Sequence, residues 1–352
     1  MRCMSELRTV EWVQGHVRMI DQTRLPDRLV YVTLRDYRQV SKAIKEMVVR
    51  GAPAIGVAAA MGMALAAEAN RAKSKDGLLK ALENAAETLQ ASRPTAQNLF
   101  WAVDRVLRQA RDAPPDSDLA EVVIAEAKEM AEEDVKANLS LGRFGAALIE
   151  DGDQVLTHCN TGTLATVNYG TALAPIRTAV RDGKKVRVVA TETRPRLQGA
   201  KLTTYELLSD KIPVTLIVDG AVGYVMKGGM IQKAIVGADH VTTSFVANKV
   251  GTYLIALAAK ANNVPFYVAA PSSTFDLRAE KSDIRIEERD AKEVTFVNGR
   301  RVAPRGVVAY NPAFDLTPLE LVTAFITERG VFTPESLIAN PSSLQSDANQ
   351  IR

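Results

Sequence analysis

Cysteine is scarce in this chain: two residues, Cys3 and Cys159, in 352. Two such distant thiols give no disulfide framework. An excess of one charge is also missing. Lys and Arg number 44 against 41 Asp and Glu, a formal net charge of +3. That balance does not suggest non-specific nucleic-acid binding, and it leaves room for a local basic pocket that takes an anionic substrate. The N-terminus, MRCMSELRTVEWVQG, has no apolar core of signal-peptide length. The most apolar stretch, APAIGVAAAMGMALAAEAN, is interrupted by Gly56 and Gly62, and its roughly 15 apolar positions fall short of the about 20 that a membrane span needs. His158 and His240 have no third histidine nearby in sequence, and neither CxxC nor HxxxH spacing occurs, so no metal site is expected. No Gly-x-Gly-x-x-Gly follows a predicted strand, so no nucleotide cofactor is expected either.

What is present is ordinary globular material: 47% hydrophobic and 24% charged residues, enough for a sizeable core and for two domains. A cytoplasmic protein is expected. The two halves have different patterning. Residues 10–34 read as short strands with turns at Gly15 and Leu25-Pro26-Asp27. Helical spacing then takes over in Asp36–Val49, Pro53–Asn70, Asp76–Gln90 and Thr95–Asp112. After the break at Ala113-Pro114-Pro115, Ser117 or Asp118 caps a long helix running to about Ile149. From Gln154 onward, short apolar runs alternate with helical stretches. The strands are Gln154–His158, Val186–Ala190, Val214–Val218, Ala234–Val236, Phe266–Ala269 and Val307–Ala309. Helices are expected around Tyr169–Asp182, Thr203–Ser209, Ala221–Lys227 and Thr252–Asn262. This alternation predicts an α/β fold: a mostly helical N-terminal domain with a few short strands (1–150), a C-terminal Rossmann-like parallel-sheet domain (151–340), and a polar tail (341–352).

Ligands of parallel sheets bind beyond the carboxyl ends of the strands. Cys159 follows the first strand of the second half and Asp239 follows the fourth, so this topology lets both reach one crevice. Around them stand His158-Cys159-Asn160-Thr161-Gly162-Thr163-Leu164-Ala165-Thr166, Glu192-Thr193-Arg194-Pro195 with Leu197-Gln198-Gly199-Ala200, and Gly237-Ala238-Asp239. Arg50-Gly51-Ala52-Pro53-Ala54-Ile55-Gly56, Asn248-Lys249-Val250-Gly251-Thr252-Tyr253 and Asn311-Pro312-Ala313-Phe314-Asp315 complete an ordered set. Together these blocks resemble methylthioribose-1-phosphate isomerase over roughly residues 10–335. The superfamily also holds archaeal ribose-1,5-bisphosphate isomerases and non-catalytic regulatory subunits of a translation-initiation exchange factor, so resemblance carries fold further than activity.

The resemblance implies that Cys159 and Asp239 are the catalytic pair. It assigns substrate contacts to Arg50, Gly51, Ala52, Arg93, Gln198, Asn248 and Lys249, and it implies a homodimer. The chemistry agrees with the residues. Arg50-Gly51-Ala52-Pro53 opens a helix whose free N–H groups and dipole favour an anion. Arg50 and Arg93 add charge-assisted hydrogen bonds to phosphate, and Lys249 adds a point charge. Each residue has a plainer alternative: a buried cysteine as a small core hydrophobe, an aspartate as a helix cap, Arg93 as a solvated loop residue, Lys249 in a surface ion pair. His158 and His240 read as structural or supporting groups.

One segment departs from the family. Its commonest form follows Gly-Ala-Asp with arginine and a loop carrying Asn-Gly-Asp. Here the arginine is His240, the loop is shorter, and its acidic residue is absent. The expected activity is an aldose–ketose isomerisation in methionine salvage. Asp239, kept protonated by apolar surroundings, would give a proton to the ring oxygen, and Cys159 would act at C1/C2 by proton shuttle or beside a hydride shift. Neither route requires a cofactor. The alternatives are an isomerase of 5-deoxyribose 1-phosphate or ribose 1,5-bisphosphate, and a non-catalytic regulatory subunit.

Overall fold

A computed structural model of the chain describes residues 3–93, 97–277 and 286–344. It divides into two compact units, 1–138 with 162–170, and 139–161 with 171–352. The short stretch after Asn160-Thr161 thus belongs with the first unit, and residues 139–150 with the second.

The first unit opens with β1 (Val10–Val13), β2 (His16–Ile20) and β3 (Tyr31–Leu34), an antiparallel meander. Then come α1 (Tyr37–Lys45), α2 (Ala52–Ala69), α3 (Lys75–Gln90), α4 (Gln97–Asp112) and α5 (Leu119–Ala146), which runs past the unit boundary. Asp118 rather than Ser117 caps α5, its Oδ1 accepting from Ala120 N–H (3.1 Å) and Glu121 N–H (3.2 Å). The expected start of α4 at Thr95 falls outside the described residues. The apolar stretch at Ala52 is long enough, as an 18-residue helix, to cross a membrane by length and composition. That corrects the shorter reading of it, but its place is a core: every residue from Ala54 to Ala67 is buried, against α1, α3 and α4. A helix apolar all round needs neighbours on every side. Gly56 serves that packing, because a Cβ there would lie 2.9 Å from the Asn98 carbonyl oxygen on α4.

In the second unit the order is β4 (Gln154–Thr157), α6 (Leu173–Arg181), β5 (Arg187–Thr191), α7 (Thr204–Ser209), β6 (Val214–Ile217), α8 (Val222–Lys227) and β7 (Lys233–Val236). It continues with β8 (His240–Val241), β9 (Phe245–Lys249), α9 (Thr252–Ala261), β10 (Phe266–Ala269), α10 (Lys292–Thr295), β11 (Phe296–Val297) and β12 (Arg300–Arg301). The chain ends on β13 (Phe314–Pro318), β14 (Ala324–Thr327), β15 (Gly330–Phe332) and α11 (Pro334–Ala339). Seven strands form one sheet in the order β6-β5-β4-β7-β10-β14-β15, all pairs parallel except the last. Leu156, Val189, Val236, Val268 and Phe325 carry its core. A smaller antiparallel sheet, β8-β9-β13, follows Asp239 directly.

One expected strand is absent. Val307–Ala309 is irregular, with Val308 94% exposed. The sixth parallel position is filled by β14, whose residues are all buried. Both runs are short and apolar, and only the packing separates them. Of the expected tail, Pro341–Leu344 forms a turn with Leu344 buried in the core; residues 345–352 lie outside the described residues.

Candidate active site

The parallel strands run outward from β4 through β5 to β6. The chain then returns to β7, on the other side of β4, and proceeds to β10 and β14. The strand order therefore reverses between β4 and β7, where a doubly wound sheet opens a crevice at its carboxyl edge. The two strands are in parallel register, with Val155 opposite Lys233 and Leu156 opposite Ala234. Cys159 comes two residues after β4 and Asp239 three residues after β7. Both leave the same edge of the sheet on neighbouring strands. Asp239 is half-buried, and its N–H donates to Ala247 C=O (3.0 Å), which starts the β8–β9 hairpin.

Cys159 is 9% exposed and has φ +63°, a left-handed conformation that costs a non-glycine residue about 1 kcal/mol. Surrounding hydrogen bonds offset that strain. Its N–H donates to Thr193 Oγ1 (3.0 Å), its C=O accepts from Thr203 Oγ1 (2.6 Å), and its Sγ accepts from Gln198 Nε2 (3.3 Å). All three partners come from the segment after β5. That segment ends in a wide π-type turn, Gly199–Thr203, a form that recurs at functional sites. Only glycine fits at its start: a Cβ on Gly199 would sit 1.9 Å from Thr191 C=O and 2.7 Å from Thr193 Oγ1. Gln198 is buried, and its Oε1 has no hydrogen-bond partner among the described residues. A substrate hydroxyl fits that acceptor.

Behind this loop lies a buried charge network. Asn160 Nδ2 donates to Glu206 Oε1 (2.8 Å), and Glu206 pairs with Arg177 at 2.7 Å. Arg177 also reaches Asp210 at 2.7 Å, and none of the three charged side chains exceeds 4% exposure. Such a network is costly to break because a buried charge is left uncompensated.

His158 is fully enclosed. Nε2 lies 2.9 Å from Val250 C=O, which can only accept, so this nitrogen carries the proton. Burial lowers the pKa of the ring, which is therefore neutral, and Nδ1 accepts from Thr191 Oγ1 (2.6 Å). The histidine ties the end of β4 to the Asn248–Gly251 segment. His240, also buried, is likewise kept neutral by burial against the opposing pull of Asp276 and Asp239.

Asn248 is buried and donates to Thr252 Oγ1 (3.0 Å). Lys249 Nζ reaches Ala313 C=O (2.5 Å) and lies over the Phe314 ring at 4.6 Å. At the N-terminus of α9, Asp315 accepts from Gly251 N–H (2.6 Å) and Tyr253 N–H (3.2 Å). Burial pushes the Asp315 carboxyl up to about 6, against the pull of those N–H groups and Lys249.

In the first unit, the N-cap of α2 is Gly51, which has no side chain to cap with and stands at φ +91° and ψ 134°. A Cβ there would meet Ala165 Cα at 2.4 Å and Ala165 C=O at 2.5 Å. A glycine-capped N-terminus of this kind has the character of an anion site. Arg50 and Arg93 are half-buried. The stretch 162–170 is tied down within the unit: Thr9 Oγ1 donates to Thr163 C=O (2.7 Å), Gln22 Nε2 to Leu164 C=O (2.7 Å), and Asp134 Oδ2 accepts from Val167 N–H (2.7 Å). Burial raises the Asp134 carboxyl to about 7, with Val167 and Asn138 pulling the other way.

The structure thus distributes the expected site residues: Arg50, Gly51, Ala52 and Arg93 in the first unit, Cys159, Gln198, Asp239, Asn248 and Lys249 in the second. Thr193, Thr203, Asp315 and the Glu206 network had no role assigned from sequence. Thr193 and Asp315 stood inside recognised motifs, the one available signal; Thr203 and Glu206 carried none.

Comparison with known proteins adds to this geometry. The model of the initiation factor 2 subunit family matches residues 48–334. A methylthioribose-1-phosphate isomerase of Geobacter metallireducens is 52% identical over 93% of this chain and 95% of its own. The crystal structure of 5-methylthioribose 1-phosphate isomerase from Pyrococcus horikoshii is 42% identical, with a TM-score of 0.88 over 96% of this chain and 95% of that one. A crystal structure from A. fulgidus described as translation initiation factor eIF-2B, subunit delta, is 48% identical, with a TM-score of 0.87 over 97% of this chain and all of that one.

Proposed function

Because the chain belongs to the initiation factor 2 subunit family, and within it to the methylthioribose-1-phosphate isomerases, we propose that it converts 5-methylthioribose 1-phosphate to 5-methylthioribulose 1-phosphate. This places it in methionine salvage. The observation that carries the reading is the placement of Cys159 and Asp239 at the same edge of neighbouring parallel strands, where the strand order reverses. The phosphate blocks the free hemiacetal by which an aldose normally opens. Asp239 donates a proton to the ring oxygen as the C1–O4 bond breaks. Hydrogen then moves from C2 to C1, either as a proton carried by Cys159 or as a hydride beside it, and the C2 hydroxyl gives its proton back to the Asp239 carboxylate as the ketone forms. Gln198 holds the thiol and offers its vacant Oε1 to a sugar hydroxyl. Arg50, the Gly51-Ala52 backbone, Arg93, Asn248 and Lys249 are the proposed phosphate and substrate contacts. The protein acts as a homodimer in the cytoplasm on this reading.

The test is an NMR assay with 5-methylthioribose 1-phosphate. Wild type should form the ketose phosphate, and Cys159→Ser and Asp239→Asn should each lose about 100-fold or more in kcat. Near-normal turnover by both variants would remove them from the chemistry. In D2O, deuterium at C1 marks the proton route, whereas the hydride shift predicts none. Arg93→Ala should raise KM about tenfold through one lost charge-assisted contact.

A second reading, a non-catalytic regulatory subunit, is favoured by the name of the A. fulgidus structure. It predicts no turnover of 5-methylthioribose 1-phosphate, 5-deoxyribose 1-phosphate or ribose 1,5-bisphosphate, and capture of an initiation factor.

A further inference from the structure

We propose that Thr203 and Thr193 are positioning residues that aim the Cys159 thiol, a role that rests on the isomerase reading above. Three atoms of Cys159 are held by three side chains of one segment, and two of those bonds fall on its main chain. Thr193 Oγ1 accepts the amide hydrogen and Thr203 Oγ1 donates to the carbonyl oxygen. These two hydroxyls bracket a residue held at φ +63°. In extended backbone the same cysteine would send its side chain to the other side of the strand line. The left-handed turn, and with it the direction of Sγ, depends on both bonds.

Each hydroxyl is itself committed. Thr203, 0% exposed, donates to Cys159 and accepts from Asn160 Nδ2 at 3.3 Å. Asn160 is anchored through Glu206 to Arg177. On the other side, Thr193 is set by Asp219, whose two oxygens accept from Thr193 N–H (2.7 Å) and Arg194 N–H (2.6 Å). One clamp is thus fastened to a buried ion pair and the other to the end of β6. The Thr203 hydroxyl spends its one hydrogen on Cys159 and has no donor left for substrate, which separates its role from that of Gln198. A reacting group displaced by about 1 Å loses on the order of 100-fold in rate, so a clamp on the main chain acts on kcat before it acts on binding.

The experiment uses full-length protein carrying Cys3→Ser, so that Cys159 is the one thiol. Thr203→Val removes the hydroxyl at nearly constant volume, and Thr203→Ser retains it. For the valine variant, kcat on 5-methylthioribose 1-phosphate should fall about tenfold or more with KM within about twofold, because aim is lost and binding is not. Its Cys159 should react with iodoacetamide at least about threefold faster, since a loosened loop exposes a thiol that is now buried. The serine variant should return both values to near wild type. Wild-type kcat and alkylation in a folded valine variant, or equal impairment of the serine variant, would overturn the proposal. If Thr203→Val does not fold, Thr193→Val against Thr193→Ser is read in the same way. Absence of turnover in the parent protein would sink the isomerase reading alone; the alkylation contrast still decides the clamp.

Discussion

Replacing Gly51 by alanine isolates the close approach at the N-terminus of α2. Two independent penalties apply. At φ +91° and ψ 134° the backbone lies where side chains are rarely tolerated, costing about 1–3 kcal/mol. The added Cβ also meets Ala165 Cα at 2.4 Å, its carbonyl oxygen at 2.5 Å and its Cβ at 2.7 Å. Two of these three atoms are backbone and cannot rotate away, so one segment must shift, for about another 1–3 kcal/mol. The expected loss is about 2–6 kcal/mol, read by urea titration. Gly152→Ala supplies the control. Gly152 has φ +89° but no atom within 4 Å of a built Cβ, so it carries the backbone penalty alone. Adding Ala165→Gly to Gly51→Ala removes just the 2.7 Å contact, so little stability should return. If the Ala165–Gly51 approach shapes the phosphate site, KM should rise in Gly51→Ala and stay unchanged in Gly152→Ala. Equal stability losses in the two single variants would refute the close approach as the reason for glycine at 51.

Gly199→Ala should push the π-type turn away from Thr191, carrying Gln198 and Thr203 off Cys159. The expected loss in kcat is on the order of 100-fold, and retention of normal kcat would contradict the geometry. Glu206→Ala strands Arg177 in the interior beside Asp210 alone and should destabilise the fold by about 3–5 kcal/mol in urea titration. Asp134 supplies a pH dependence. Its folded pKa is raised to about 7, so between the ordinary carboxylate range and that value the folded state binds more protons than the unfolded one. Its contribution is then fully present below the ordinary pKa and lost as pH rises through about 7, by up to about 1.4 kcal/mol per unit. Asp134→Asn should therefore gain stability relative to wild type as pH goes from 5 to 8, and a constant difference across that range would show that the carboxyl is not held neutral by burial.

The sequence alone carried much of the fold and the strand-end positions of two candidate site residues. Periodicity located α1 to α9 and the first five strands of the large sheet to within a few residues, because each is a local pattern of burial. It failed at Val307–Ala309 against Ala324–Thr327. Both are short apolar runs, and nothing in the local pattern says which will find a place beside β10. The motifs put Cys159 and Asp239 at strand ends, and register then placed them on neighbouring strands.

The sequence could not decide how Cys159 is held. A left-handed backbone at a cysteine depends on hydroxyls 34 and 44 positions away in sequence, and such long-range hydrogen bonds leave no periodic trace. The same holds for His158, whose tautomer depends on Thr191 and Val250, and for Asp315, which reaches the N-terminus of α9 from 64 positions away. Local patterning determines which elements form and which residues stand at their ends. Burial, tautomer and aim are properties of the surroundings, and the surroundings exist once distant segments are packed.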